Sequence, residues 1–83
     1  MGAMYTGTLK GKYERKQGEQ HSYKYAGTWR RVRKHVVWSA TVSRSGEYRG
    51  IVNGIVRAAP ADPSFDVRLA IEGAIESLMG IRE

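Results

Sequence analysis

The sequence predicts an α+β fold, with a small antiparallel sheet of three strands, or four if the N-terminal segment joins it, packed on one C-terminal helix. Two observations predict it. Apolar and aromatic residues alternate with polar ones over three segments of residues 22–57, with turn residues between them. Residues 62–81 carry apolar residues at helical spacing. The predicted order is therefore β-β-β-α.

Size and composition restrict the class of protein. The chain has 83 residues, which allows one small domain. It contains no cysteine, which excludes disulfides and cysteine nucleophiles and favours a reducing, cytoplasmic compartment. No apolar run approaches the roughly 18 residues of a transmembrane helix, so no membrane association is expected.

The first 21 residues are the least regular part of the pattern. Met1 to Ala3, ahead of a second methionine, are interpreted as a cloning remnant. Tyr5, Leu9 and Tyr13 share one face of a weak period-2 pattern, so this segment is an N-terminal arm or an additional strand. Residues 22–83 are expected to form the single β-β-β-α domain.

The strand over residues 35–43 has the clearest alternation. It places Trp38 among β-branched residues on an apolar face, which predicts a core position. The residues Ser43-Arg44-Ser45-Gly46 then read as a hairpin turn. The partner strand, 47–57, is apolar in both parities, which favours a central or doubly buried position. Its glycines, Gly50 and Gly54, are expected to make room for Trp38 or for the helix.

The last segment has both an apolar stripe and helix boundary signals. Asp62 is a favourable N-cap, Pro63 suits the first helical position, and Gly80 suits the C-terminal end. The residues on the apolar stripe are Val67, Ala70, Ile71, Ala74, Ile75, Leu78 and Ile81. One such helix covers only one face of a sheet, so the other face must meet solvent or a partner.

Positive charge is concentrated ahead of the helix. The formal net charge is +6, and residues 1–57 carry 12 of the 14 basic side chains. Arginine binds phosphate in a bidentate manner, and aromatic side chains stack on bases. We therefore expect the uncovered sheet face to bind DNA or RNA, or another polyanion. The expected binding residues are Lys24, Trp29, Arg30, Arg31, Arg33, Lys34 and Arg49.

A second hypothesis is a protein-interaction or accessory module without a nucleic-acid role. Phe65 and Leu69 lie away from the main apolar stripe of the helix. An exposed apolar patch is the usual mark of an interaction site, so this interaction stripe would contact a protein partner or a second copy in a homodimer. The basic face would then serve solubility or contact an acidic partner.

The sequence does not predict an enzyme. His21 and His35 have no neighbouring ligands at metal-binding spacing, so no metal site is expected. Glu72 and Glu76 lie side by side on one helix face, where a solvated surface is expected rather than an acid–base pair. No nucleophile-elbow, Walker or dinucleotide-binding glycine pattern occurs, so no small-molecule cofactor is expected.

The basic segment also has a counterpart among known folds. The stretch from Trp29-Arg30-Arg31-Val32-Arg33 to Tyr48-Arg49-Gly50-Ile51, followed by a helix, is similar in outline to phage-integrase arm-binding domains and to plant-type AP2 domains. This resemblance implies that the uncovered sheet reads DNA. The double-stranded-RNA-binding domain differs more, because it has a helix before its strands and a basic start to its last helix.

Overall fold

The computed structural model of the protein describes residues 6–57 and 62–82, which form one antiparallel sheet and one helix. The elements are β1 (Thr6–Glu14), β2 (Ser22–Val32), β3 (His35–Arg44), β4 (Glu47–Arg57) and α1 (Ser64–Glu76). The strands lie side by side in sequence order. The predicted α+β class is confirmed, and the N-terminal segment provides a fourth strand. The interpretation of residues 1–3 as a cloning remnant lies outside the described residues.

Two tight turns set the register of the sheet. Ser45 and Gly46 connect β3 to β4 with φ of 53° and 80°, the positive values that a type I′ hairpin turn requires. The predicted hairpin at this point is confirmed. Arg33 and Lys34 connect β2 to β3, and Arg33 has a φ of 58°. Glycine or asparagine is the usual residue at such an angle.

The core lies between α1 and one face of the sheet. Alternate residues of each strand point toward the helix because side chains switch faces at every residue of a strand. The buried sheet residues are Leu9, Tyr23, Tyr25, Val36, Trp38, Ala40, Val42 and Val52. The helix contributes Val67, Ile71 and Ile75, all completely buried. Three of the predicted stripe residues thus form the inner face of the helix.

Two tryptophans lie across glycines in one row of the sheet. Trp29 pairs with Trp38, and the outer strands place Gly7 and Gly54 beside them. A Cβ atom at Gly54 would lie 2.8 Å from the indole of Trp38, and one at Gly7 would lie 2.5 Å from that of Trp29. The prediction that Gly54 makes room for Trp38 is confirmed, as is the core position of Trp38.

Two carboxylates fasten the helix to the first hairpin. Glu76 accepts hydrogen bonds from the Tyr13 hydroxyl (2.6 Å) and from the backbone N–H groups of Lys16 (2.9 Å) and Gln17 (3.0 Å). Glu72 accepts one from the Tyr25 hydroxyl at 2.7 Å. The expectation that these two glutamates form a solvated face is therefore wrong. Their four-residue spacing predicts that they lie on the same side of the helix. Only the tertiary structure shows that β1 and β2 pack against that side.

The hydrogen bonds of Glu76 shift its own pKa and that of Tyr13. The Tyr13 hydroxyl and the backbone N–H of Lys16 are the main groups that hold the pKa of Glu76 below its ordinary value. The same contact with Glu76, together with burial, raises the pKa of Tyr13. Burial and the bond to Glu72 raise the pKa of Tyr25. The contact between helix and hairpin is thus strongest with the carboxylate ionised and the phenol neutral.

The helix ends earlier than its apolar stripe predicts. The N-cap is Pro63 and not the predicted Asp62, and the first helical residue is Ser64. The Asp62 carboxylate still accepts the Ser64 N–H at 3.1 Å, so it satisfies one free donor at the helix start. After Glu76 the chain turns, and Ile81 forms an antiparallel bridge with Gly50 of β4. A Cβ at Gly50 would collide with the Gly80 carbonyl oxygen. Ile81 is therefore buried as an added strand residue and not on the helix stripe.

Strand β4 is an edge strand, so the prediction of a central or doubly buried position is wrong. Val52 faces the helix, but Ile51 and Ile55 lie on the opposite face and are 50% and 57% exposed. Apolar residues in both parities favour a buried strand only when both faces are covered. This sheet has one helix, which covers one face.

We expect Trp38→Ala to lower the free energy of unfolding by about 3–5 kcal/mol, because it leaves a cavity between α1 and the sheet. Urea unfolding would measure this loss. Ile55→Ala, at an exposed position of the neighbouring strand, is the control and should cost under about 1 kcal/mol. Similar losses for both variants would contradict the core assignment.

We expect stability to fall on acidification below about pH 4.5, the ordinary pKa of Glu76. The folded-state pKa is lowered, so the stabilisation is complete above the unfolded pKa and disappears as the pH falls through the folded value. Thermal unfolding at pH 3–7 would measure this. Glu76→Gln, which cannot ionise, should flatten that part of the profile. An unchanged profile would show that other carboxylates cause the acid sensitivity.

Candidate nucleic-acid interface

Among the described residues, no helix or strand covers the face of the sheet opposite α1. We call it the helix-free face. It consists of the side chains of β1 to β4 that alternate with the core residues. Lys24 and Arg30, two of the predicted binding residues, lie on it and are exposed.

Three lysines meet at one end of the helix-free face and form what we call the lysine cluster. Lys12 of β1 lies directly opposite Lys24 of β2, and Lys10 is the next residue of β1 on the same face. All three side chains are exposed, and no hydrogen bond or ion pair joins them to another side chain among residues 6–57 and 62–82. Like charges directly opposite one another destabilise a sheet. The lysine cluster is therefore a place where a bound anion would relieve repulsion.

Sequence reasoning missed Lys10 and Lys12 as binding residues. The alternation of β1 already placed both lysines on the face opposite Leu9 and Tyr13. Their importance depends on the register of β1 against β2, which sets Lys12 opposite Lys24. No local pattern in the sequence specifies that register, because a ten-residue span separates Tyr13 from Tyr23.

Four further cations lie at the other end of the sheet, and we call them the turn cluster. Arg30 and Arg57 lie on the helix-free face, near the ends of β2 and β4. Arg33 and Lys34 form the turn between β2 and β3. The residues that adjoin this end in sequence, 1–5 and 58–61, contain no acidic side chain. The predicted residues Arg30, Arg33 and Lys34 thus lie at the same end of the sheet.

The turn cluster keeps an arginine where the backbone favours glycine. The positive φ of Arg33 costs a residue with a Cβ roughly 1–2 kcal/mol relative to ordinary helical or extended angles. Strain of this kind collects at functional positions. Ser45 and Leu78 adopt similar angles of 53° and 54°, so what distinguishes Arg33 is that it is an exposed cation at the tip of a hairpin.

A row of short polar side chains separates the two clusters. Thr8, Thr28, Ser39 and Asn53 occupy one register row that crosses all four strands. They line a shallow groove of about 940 Å³, bordered by Arg30 and by Ile55. A second depression of about 470 Å³ lies beside the lysine cluster. The centre of the helix-free face can therefore make hydrogen bonds but carries no charge.

The other predicted binding residues lie off the helix-free face. Trp29 and Arg31 alternate with Arg30 on β2, so they belong to the side that bears the helix, and both are half-buried. Arg49 is at an irregularity of β4 and donates a hydrogen bond to Glu47 at 3.0 Å. Adjacent residues of a strand point to opposite faces, so the run Trp29-Arg30-Arg31 cannot act as one surface.

Four of the seven acidic side chains among the described residues lie on or just before α1, on the opposite side of the molecule. Glu19 and Glu47 lie in or beside the connections at the end of the sheet that holds the lysine cluster. Asp66, Glu72 and Glu76 are on α1, and Asp62 precedes it. On the helix-free face the described acidic residue is Glu14, at the outer end of β1. The molecule is thus polarised, with a basic sheet face and an acidic helix side, and such polarity orients a charged partner during encounter.

The described residues show neither a metal-binding cluster nor a membrane-spanning helix. Within residues 6–57 and 62–82, no three histidine, aspartate or glutamate side chains come together as a metal ion would require. No described helix is long and apolar enough to cross a membrane. His21 contacts Glu19 in the first hairpin loop, and His35 lies opposite Arg57 beside the turn cluster.

Comparisons with protein-family models, with curated proteins and with solved structures give no match for this chain. The similarity in outline to phage-integrase arm-binding and AP2 domains stays a prediction from the sequence.

Proposed function

We propose that this domain binds nucleic acid through the helix-free face, with phosphate groups as its main ligands. The lysine cluster carries the proposal. It holds three exposed cations, two of them directly opposed across strands. The carboxylates in the neighbouring rows are Glu14, at the outer end of β1, and Glu47, which is paired with Arg49. Phosphate oxygens would replace the missing counter-charge, and binding would release condensed counterions from the nucleic acid.

The central row supports nucleic acid over other polyanions. Thr8, Thr28 and Ser39 offer hydroxyl groups that bond phosphate or sugar oxygens, and Asn53 offers an amide that can both donate and accept. Val37, Ile51 and Ile55 flank this row, so the centre of the face suits a ligand with charged edges and with both polar and apolar groups between them. Stacking by Trp29, expected from the sequence, is not part of this proposal, because its indole lies over Gly7 on the helix side.

We expect Lys12→Ala/Lys24→Ala to weaken nucleic-acid binding for all sequences alike and to reduce the salt slope of log K by about two units. Each lysine contributes one phosphate contact and no base contact. Fluorescence anisotropy with labelled oligonucleotides at 50–200 mM salt would measure both quantities. Removing two opposed like charges should leave the fold intact or slightly more stable.

The matched control is Lys16→Ala/Arg82→Ala. It removes the same net charge from exposed side chains that lie outside the helix-free face. If both double variants lose affinity equally, binding depends on net charge alone and the assigned surface is wrong. A heparin fragment that binds as tightly as the oligonucleotides would identify a general polyanion-binding domain.

A protein-interaction role is the second candidate, and one observation favours it. Phe65 and Leu69, the interaction stripe, are 65% and 52% exposed on α1, and Met79 beyond the helix is 67% exposed. Phe65 and Leu69 are one helical turn apart and so share one exposed side of α1, and exposed apolar patches are typical of protein contacts. A homodimer or a protein partner would cover them.

We expect Leu69→Asp to convert such a dimer to a monomer, because an ionised carboxylate at a buried interface lacks a partner. Sedimentation velocity of the wild-type chain and the variant would measure the mass. Gln20→Asp, at an exposed loop position outside the stripe, controls for the single added negative charge. A wild-type chain that sediments as a monomer at all concentrations would leave the stripe without a role in self-association.

A further inference from the structure

We propose that the ligand of the helix-free face is double-stranded DNA, bound with the lysine cluster on one phosphate backbone and the turn cluster on the other. This inference rests on the proposed function and specifies its substrate. It starts from the separation of the two clusters, which the sequence does not show.

The separation follows from the register. Lys24 and Arg30 lie on one face of β2, six residues apart. At about 3.3 Å per residue their Cα atoms are about 20 Å apart. The two phosphate backbones that border the major groove of B-form DNA are separated by a groove about 12 Å wide. Long lysine and arginine side chains that lean inward span the difference.

The uncharged row fits between two backbones. The row from Thr8 to Asn53 runs perpendicular to the strands, with three inter-strand spacings of about 4.8 Å, or about 14 Å in total. With a cluster on each backbone, the strands cross the groove and this row runs along it. Its hydroxyl and amide groups then face base edges and sugars, where neutral donors and acceptors are required.

A single strand fits this face less well. Proteins that bind single strands combine a continuous basic track with aromatic side chains on which bases stack. Between the clusters, the described side chains of the face are Thr, Ser, Ala, Asn, Val and Ile. The exposed aromatic Tyr48 lies opposite Ser43, at the lysine end. The major groove of duplex RNA is too deep and narrow for this face to enter, so the proposed arrangement across a major groove applies to duplex DNA.

The turn between β2 and β3 supplies two of the cations at the second end of the sheet. Arg33 keeps a positive φ at the tip of the β2–β3 hairpin, next to Lys34 and one residue beyond β2. The β3–β4 turn holds the neutral Ser45 at a similar angle, whereas this turn holds two cations. A second backbone at this end of the sheet would give the cation at that tip its ligand.

The test compares two variants on three ligands of one sequence: duplex DNA, single-stranded DNA and duplex RNA. Arg30→Ala/Arg33→Gly removes two cations from the turn cluster, and the glycine suits the positive φ, so the fold should be retained. Lys12→Ala/Lys24→Ala removes two from the lysine cluster. Circular dichroism and urea unfolding would confirm that both variants fold.

We expect the wild-type domain to bind duplex DNA at least about tenfold more tightly than either alternative at 150 mM salt. Each variant should reduce the salt slope on duplex DNA by about two units. The turn-cluster variant should lose most of the preference for duplex DNA, while its affinity for single-stranded DNA changes less than about threefold.

The outcomes separate this inference from the proposed function. If single-stranded DNA or duplex RNA binds as tightly as duplex DNA, or if Arg30→Ala/Arg33→Gly leaves duplex binding unchanged, the duplex inference is overturned and nucleic-acid binding stands. If the wild-type domain binds none of the three, or if Lys12→Ala/Lys24→Ala has no effect on any of them, the proposed function fails as well.

Discussion

A single helix of 13 residues must close one face of a four-stranded sheet, and the rest of this structure depends on that constraint. The helix covers one face with Val67, Ile71 and Ile75. On the same face, Trp29 and Trp38 lie beside Gly7 and Gly54 in one row of the sheet. Its position is fixed by Glu76 and Glu72, which accept hydrogen bonds from Tyr13 and Tyr25. The opposite face of the sheet is left free for a ligand.

The same contacts separate the charges of the molecule. Glu76 stands at the C-terminal end of α1, where the helix dipole disfavours a carboxylate. Its hydrogen bonds to the first hairpin compensate, and they hold negative charge on the helix side. The lysines of β1 and β2 point the other way because side chains alternate along a strand. A basic face and an acidic helix side are therefore consequences of one packing arrangement.

The residues of the candidate site are not the ones that look most like binding residues in the sequence. The run Trp29-Arg30-Arg31 has the most conspicuous basic and aromatic character in the chain, yet only Arg30 of the three lies on the helix-free face. Lys12 is inconspicuous in sequence and is half of the directly opposed lysine pair. Successive side chains of a strand point to opposite faces of the sheet, so only every second residue of a basic run lies on the helix-free face. The other cations of that face come from distant segments, as Lys12 of β1 does.

The sequence by itself determined the class of the fold, strands β2 to β4 and the presence of the C-terminal helix. Period-2 alternation and turn residues such as Gly46 mark the strands, and helical spacing with Asp62 marks the helix start, because these signals act between near neighbours. Tertiary structure alone decided that β4 is an edge strand with Ile51 exposed, and that Lys12 opposes Lys24. Those outcomes depend on strand register and on which face the helix covers, and both are set by contacts between residues far apart in the chain.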